Sequence, residues 1–209
     1  MESVLDRVIK QNTENVNLLK TKDYNIFSVL QIQSKEVLIC RMIADLLNPR
    51  GQHGAGAEYL KIFLRDCLGM EKMDTKLADQ AIVTAEYAID DERRIDIVIE
   101  IGSYFLPIEV KIYAADQKSQ CFDYYQYAKR RDAQAKVYYL TLDGHRPGKD
   151  STSSGSQSVP EEDIVCLSFR EHILNWLKAC KNCENTGMIP ILEQFIRNIE
   201  QISGYTCLL

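Results

Sequence analysis

The chain has 209 residues, 45% of them hydrophobic and 26% charged, which suits a single domain over 1–209 with enough apolar surface for a full core. A net charge of -5 speaks against a protein that coats nucleic acid through bulk charge alone. No apolar run is long enough for a membrane span, Met1-Glu2-Ser3 lacks the start of a signal peptide, and seven cysteines are an odd number scattered mostly through apolar segments, so a cytoplasmic protein with reduced thiols and no membrane contact is expected.

In chain order, Val4, Leu5, Val8, Ile9, Val16, Leu18 and Leu19 suggest a first helix over 1–20. Ser34 is the expected N-cap of a second helix that runs to about residue 48, where Pro49 and Gly51 stop it. A third helix is expected over 55–68, with Tyr59, Leu60, Phe63 and Leu64 inward and Gly69 at its end. Between the second and third helices His53 sits among Gly51, Gly54 and Gly56, where it could cap the loop or touch a phosphate, and it stays outside the candidate site. Three meandering strands follow near 81–89, 93–101 and 105–112, then a helix over 115–132 and a strand over 136–142. That helix can carry the chain across the sheet, which would make the third and fourth strands parallel. Gly, Ser, Pro and charge over 143–160 predict a mobile loop, before a fifth strand at 164–167 and helices near 170–183 and 189–203. Cys180 and Cys183 have the spacing of half a zinc site, but no second pair or suitably spaced histidine completes it.

Two neighbouring strands carry acids among apolar residues. Ile108, Val110 and Ile112 share one face, so Glu109 and Lys111 stand side by side on the other. Ile95, Ile97, Ile99 and Ile101 likewise predict one apolar face, with Asp96, Val98 and Glu100 opposite. A hairpin through Gly102-Ser103-Tyr104 would gather carboxylates and an ammonium on one face, as a divalent-metal site requires. The plainer reading of each residue alone is a solvated Glu109–Lys111 pair and an Asp96–Arg94 neighbour pair. From Lys111 to Lys149, eight basic residues stand against four acids, interleaved with Tyr113, Phe122, Tyr124, Tyr125, Tyr127, Tyr138 and Tyr139. Such a stretch could follow a phosphate backbone and stack bases, or be an ordinary solvated helix face beside a Tyr-rich strand.

Asp96 followed by Glu109-Val110-Lys111, on the second and third strands of an αβββαβ core, resembles the PD-(D/E)XK nuclease superfamily. Glu36 on the second helix matches the first-helix glutamate of many members, and Gln120-Cys121-Phe122-Asp123-Tyr124 is similar to the Q-x-x-x-Y element of the exonuclease-like branch. The block from Leu46 to Gly56, with Tyr59-Leu60 and Phe63-Leu64 beyond it, resembles a bacterial and phage-associated group within the superfamily. Ile95 stands where the literal motif has proline.

The resemblance implies a restriction-endonuclease-like α/β fold: a central mixed sheet of about five strands flanked by helices, a core of about 24–168, and extra N- and C-terminal helices. It also implies a Mg²⁺-dependent nuclease, with Mn²⁺ as substitute, acting on DNA in defence against foreign DNA or in DNA processing. Asp96, Glu109, the Val110 carbonyl and Glu36 would bind metal, Lys111 would orient the attacking water and stabilise the phosphate, and Gln120 and Tyr124 would face the site. Glu86 and Glu100 are expected at its border, Glu100 as a second metal position. The alternative is a catalytically weak or inactive module of the same fold that binds nucleic acid or assembles with protein. A homodimer would let one site serve each strand, with Ile191, Leu192, Phe195, Ile196 and Ile199 packing on the core or on a second copy.

Overall fold

The computed structural model describes residues 24–204 apart from 72 and 184–185, so the helix expected over 1–20 and Cys207 lie outside the described residues. Five strands form one mixed sheet: β1 (Ile82–Ala88), β2 (Arg94–Ile101), β3 (Tyr104–Lys111), β4 (Val137–Thr141) and β7 (Ile164–Ser168), in the order β1-β2-β3-β4-β7. The first two pairings are antiparallel; β3 with β4 and β4 with β7 are parallel. Ahead of the sheet come α1 (Ile26–Val29), α2 (Glu36–Leu47), α3 (Glu58–Asp66) and α4 (Thr75–Ala78). The crossover from β3 to β4 is α5 (Gln120–Arg131), and the chain closes through a π-helical turn at Phe169–Ile173, α7 (Leu174–Cys180) and α8 (Ile189–Ile202).

Two apolar layers sandwich the sheet. Ile39, Cys40, Ile43 and Leu47 recur on the inner side of α2 and join Tyr59, Phe63, Trp176, Phe195 and the inner residues of β2 and β3 in the main core. On the other face Cys121, Tyr124 and Ala128 of α5 cover Val98, Phe105, Val137 and Tyr139. Of the five apolar residues expected of α8, Leu192, Phe195, Ile196 and Ile199 are buried in the main core and Ile191 is exposed.

Several local expectations change. Lys35, not Ser34, occupies the N-cap of α2, and no side chain caps it. Ile95 belongs to the second core with Val98, not to one apolar face with Ile97, Ile99 and Ile101, because the alternation of β2 slips at Asp96. The segment 143–160 is folded, not a mobile loop: it holds α6 (Lys149–Thr152) and a small hairpin of β5 (Ser153–Ser154) with β6 (Gln157–Ser158). Long-range bonds hold it, since the Ser119 N–H donates to the Asp150 carbonyl at 2.7 Å and the Gly148 N–H to Asp116 Oδ2 at 2.7 Å. The aromatic rings of the basic stretch mostly face inward too, with Phe122, Tyr124, Tyr138 and Tyr139 buried and Tyr113 exposed, so they do not form a stacking platform.

The turn after α2 is closed by His53, whose Nδ1 accepts the Ala55 N–H at 3.0 Å while Nε2 lies 3.0 Å from the Asn48 carbonyl. A Cβ on Gly51 would fall 2.2 Å from the Asp45 carbonyl oxygen and 2.6 Å from the His53 ring, whereas one on Gly56, at φ +58°, meets nothing. Gly51→Ala should therefore cost about 2 kcal/mol or more through overpacking, and Gly56→Ala about 1 kcal/mol through backbone strain alone. Urea unfolding of the two variants checks the order.

Candidate active site

Leu106, Ile108, Val110 and Ile112 point into the main core, which sends Glu109 and Lys111 to the α5 side of the sheet. They are not a solvated surface pair: Glu109 is 1% and Lys111 6% exposed, and the Lys111 ammonium donates to Glu109 Oε1. Asp96 reaches them from the neighbouring strand. The β2–β3 ladder ends with Ile97 opposite Ile108, and beyond it the Val110 N–H donates to Asp96 Oδ2 at 2.8 Å. The aspartate thus takes a position a backbone carbonyl would hold, instead of pairing with Arg94.

Helices close the site from both faces of the sheet. At the start of α2, Glu36 Oε2 accepts the Ile112 N–H at 2.8 Å, at the carboxyl end of β3. At the start of α5, Gln120 Nε2 donates to the Tyr124 hydroxyl at 3.1 Å, and that hydroxyl in turn donates to the Arg94 carbonyl. Glu36, Asp96, Glu109, Lys111, Gln120 and Tyr124 thereby line one cavity of about 300 Å³. Tyr124 is engaged with the backbone of β2, while Gln120 Oε1 and Glu109 Oε2 are buried acceptors without a hydrogen-bond partner.

The rest of the wall comes from the turn between β1 and β2 and from the loop before α5: Asp91, Glu92, Arg93, Arg94 and Gln117. Sequence reasoning passed over Arg93. Its guanidinium ties those walls together, donating to Asp123 at 3.0 Å, to Gln117 Oε1 at 2.8 Å and to the Lys118 carbonyl at 2.6 Å. Two consecutive arginines just ahead of Ile95-Asp96 were the available signal.

Burial, then the charge of Asp96, pushes the Glu109 carboxyl well above the ordinary glutamate range. Asp96 is raised as well, chiefly by burial, against the lowering effect of the Val110 N–H and the Lys111 ammonium. Burial works to lower Lys111, but Glu109, then Asp96 and Glu36, hold it above the usual lysine value. Five acids and three bases line the cavity, an arrangement suited to a cation.

A family model described as PD-(D/E)XK nuclease superfamily matches residues 24–197, well over half of the chain. The chain belongs to the PD-(D/E)XK nuclease superfamily. No curated protein and no solved structure matches it. Membership agrees with the mixed five-stranded sheet flanked by helices, a restriction-endonuclease-like architecture, and makes nucleic acid the substrate class of the family. No helix among the described residues is long and apolar enough to cross a membrane.

Other expectations for this PD-(D/E)XK protein change. Glu100 does not border the cavity. It lies four residues from Asp96, about 13 Å along an extended strand, and pairs with Arg131 at 2.6 Å. Glu86 leaves the cavity as well, held by Arg41 at 2.6 Å. Among the described residues no three Asp, Glu, His or Cys side chains stand together as a ready-made metal cluster, and Cys180 and Cys183 are free thiols.

The raised Glu109 predicts a pH dependence for the metal-free protein. The folded state holds a proton that the unfolded chain releases near 4.5, so the contribution of Glu109 to stability is fully present below that value and is lost as pH rises through the higher folded value. Glu109→Gln should flatten that decline, as denaturant unfolding in chelator at successive pH values would show.

Proposed function

We propose that this protein is a divalent-metal-dependent nuclease hydrolysing phosphodiester bonds in DNA, with Mg²⁺ as its ion and Mn²⁺ as substitute. Defence against foreign DNA or DNA processing is the setting proposed with it. The observation that carries the reading is the pair of orphaned buried acceptors, Glu109 Oε2 and Gln120 Oε1, in an acid-rich cavity of a nuclease-superfamily chain. Buried polar atoms without partners are costly, and a hydrated cation would satisfy both.

Asp96, Glu109 and the Val110 carbonyl would be the ligands. An extended residue turns its N–H and C=O to the same strand edge, so Val110, whose N–H faces Asp96, presents its carbonyl on that side. All are hard oxygen donors, the chemistry Mg²⁺ takes, and waters would complete its sphere. Glu36 would bind through water or at a second position. When bound, the ion supplies an activated water and offsets phosphate charge.

The protein's own groups do the rest. Lys111, held charged by its acidic neighbours, orients the attacking water and stabilises the charge gathering on the phosphate; a lysine raised above its usual value is a poor proton acceptor. Gln120 offers Oε1 to a water, while Tyr124 holds the start of β2, and with it Asp96, in place. Products would carry a 5′-phosphate and a 3′-hydroxyl, by analogy with the superfamily. One site cuts one strand, so a pair of copies would suit cleavage of both.

Mg²⁺ or Mn²⁺ should raise the midpoint of thermal unfolding, and Asp96→Asn should abolish that rise while leaving the metal-free protein folded. In nicking assays on plasmid and single-stranded DNA, Lys111→Ala should lose at least about 100-fold in rate. Equal silence of wild type and Lys111→Ala with every metal and substrate would instead support a binding or assembly module without turnover.

A further inference from the structure

Glu86 has φ 53°, one of three non-glycine residues with positive φ among the described residues, and it stands inside a strand. A side chain with a Cβ rarely holds that conformation, and it persists where the surroundings over-determine it. Register places Glu86 opposite Asp96: Ala85 faces Ile97 and Tyr87 faces Ile95, and the pair between them is missing from the ladder.

Both strands turn over at that pair. On β1, Val83 and Ala85 lie against the main core but Tyr87 against the second. On β2, Ile97 and Ile99 lie in the main core but Ile95 in the second. Unbroken strands would keep residues two apart on one face. With the alternation reversed, Asp96 does not stand off the sheet as Val98 does; its carboxylate lies along the strand edge and takes the Val110 N–H. The Glu86 carboxylate is spent elsewhere, on an exposed pair with Arg41.

We infer that Glu86 is a positioning residue whose left-handed backbone reverses β1 and β2 together and so aims the Asp96 carboxylate at Val110 and the cavity. Its consequence for metal binding rests on the reading of Asp96 as a ligand; its consequence for the Val110 amide does not. The requirement is for a backbone state, so glycine should satisfy it and a β-branched residue should not.

The test uses the full chain with Glu86→Gly, Glu86→Ala, Glu86→Val and Arg41→Gln. Native-state hydrogen exchange at the Val110 amide should be at least about ten-fold faster in Glu86→Val relative to a core amide such as Ile99, and unchanged in Glu86→Gly and Arg41→Gln. Mn²⁺ affinity, read from thermal shifts, should fall about ten-fold or more in Glu86→Val and stay near wild type in the other two. Should Glu86→Val fail to fold, Glu86→Ala stands in under the same criteria, with a smaller effect in the same direction. Unaltered Val110 protection in the strained variant would overturn the inference, as would equal loss in Glu86→Gly, which would make the carboxylate the cause. Wild type that binds no Mn²⁺ while the exchange pattern holds would remove the metal-dependent reading and leave the positioning of Asp96 standing.

Discussion

Three apolar side chains of β3, Leu106, Ile108 and Val110, and Ile112 just beyond its end are locked into the main core, and that anchorage decides where the charges of the same strand must go. A slip of one residue would drive Glu109 and Lys111 into the layer formed with α2, at a cost no hydrophobic gain would offset. The core thus holds two charged groups in a nearly dry position on the opposite face, beneath α5. Parallel pairing with β4 places them at the carboxyl end of the strand, where α/β sheets leave room for ligands and where the starts of α2 and α5 bring Glu36 and Gln120.

Period-two alternation made Glu109 and Lys111 legible as neighbours, and the strand order with its parallel crossover followed from the spacing of β-rich runs. The same rule misplaced Ile95, because the reversal at Asp96 is seated in the backbone of Glu86 on another strand, and glutamate is not a residue type that announces a left-handed turn. Composition also failed over 143–160. Gly, Ser and Pro read as loop, while contacts with Asp116 and Ser119 more than thirty residues away fold the segment over the start of α5. Glu36, Gln120 and Tyr124 were found through family resemblance; nothing in their own periodicity separates them from other polar helix positions. Arg93 was missed because its partners, Gln117, Lys118 and Asp123, are near it only in space.

The electrostatics argue that the site is held in tension by design of its neighbours, not by its own favourable contacts. Glu109 and Asp96 are both buried; burial raises the proton affinity of each, the charge of Asp96 adds to that rise at Glu109, and the Lys111 ammonium works against it at both. Breaking such a group by removing the cation alone leaves two buried carboxylates facing one another, whereas neutralising one acid removes the conflict. Stability alone would favour the neutral site. That a fold keeps three ionisable groups here, with a glutamate oxygen and a glutamine oxygen unpartnered beside them, is the pattern expected where binding something positively charged, not packing, is what the surrounding core sustains.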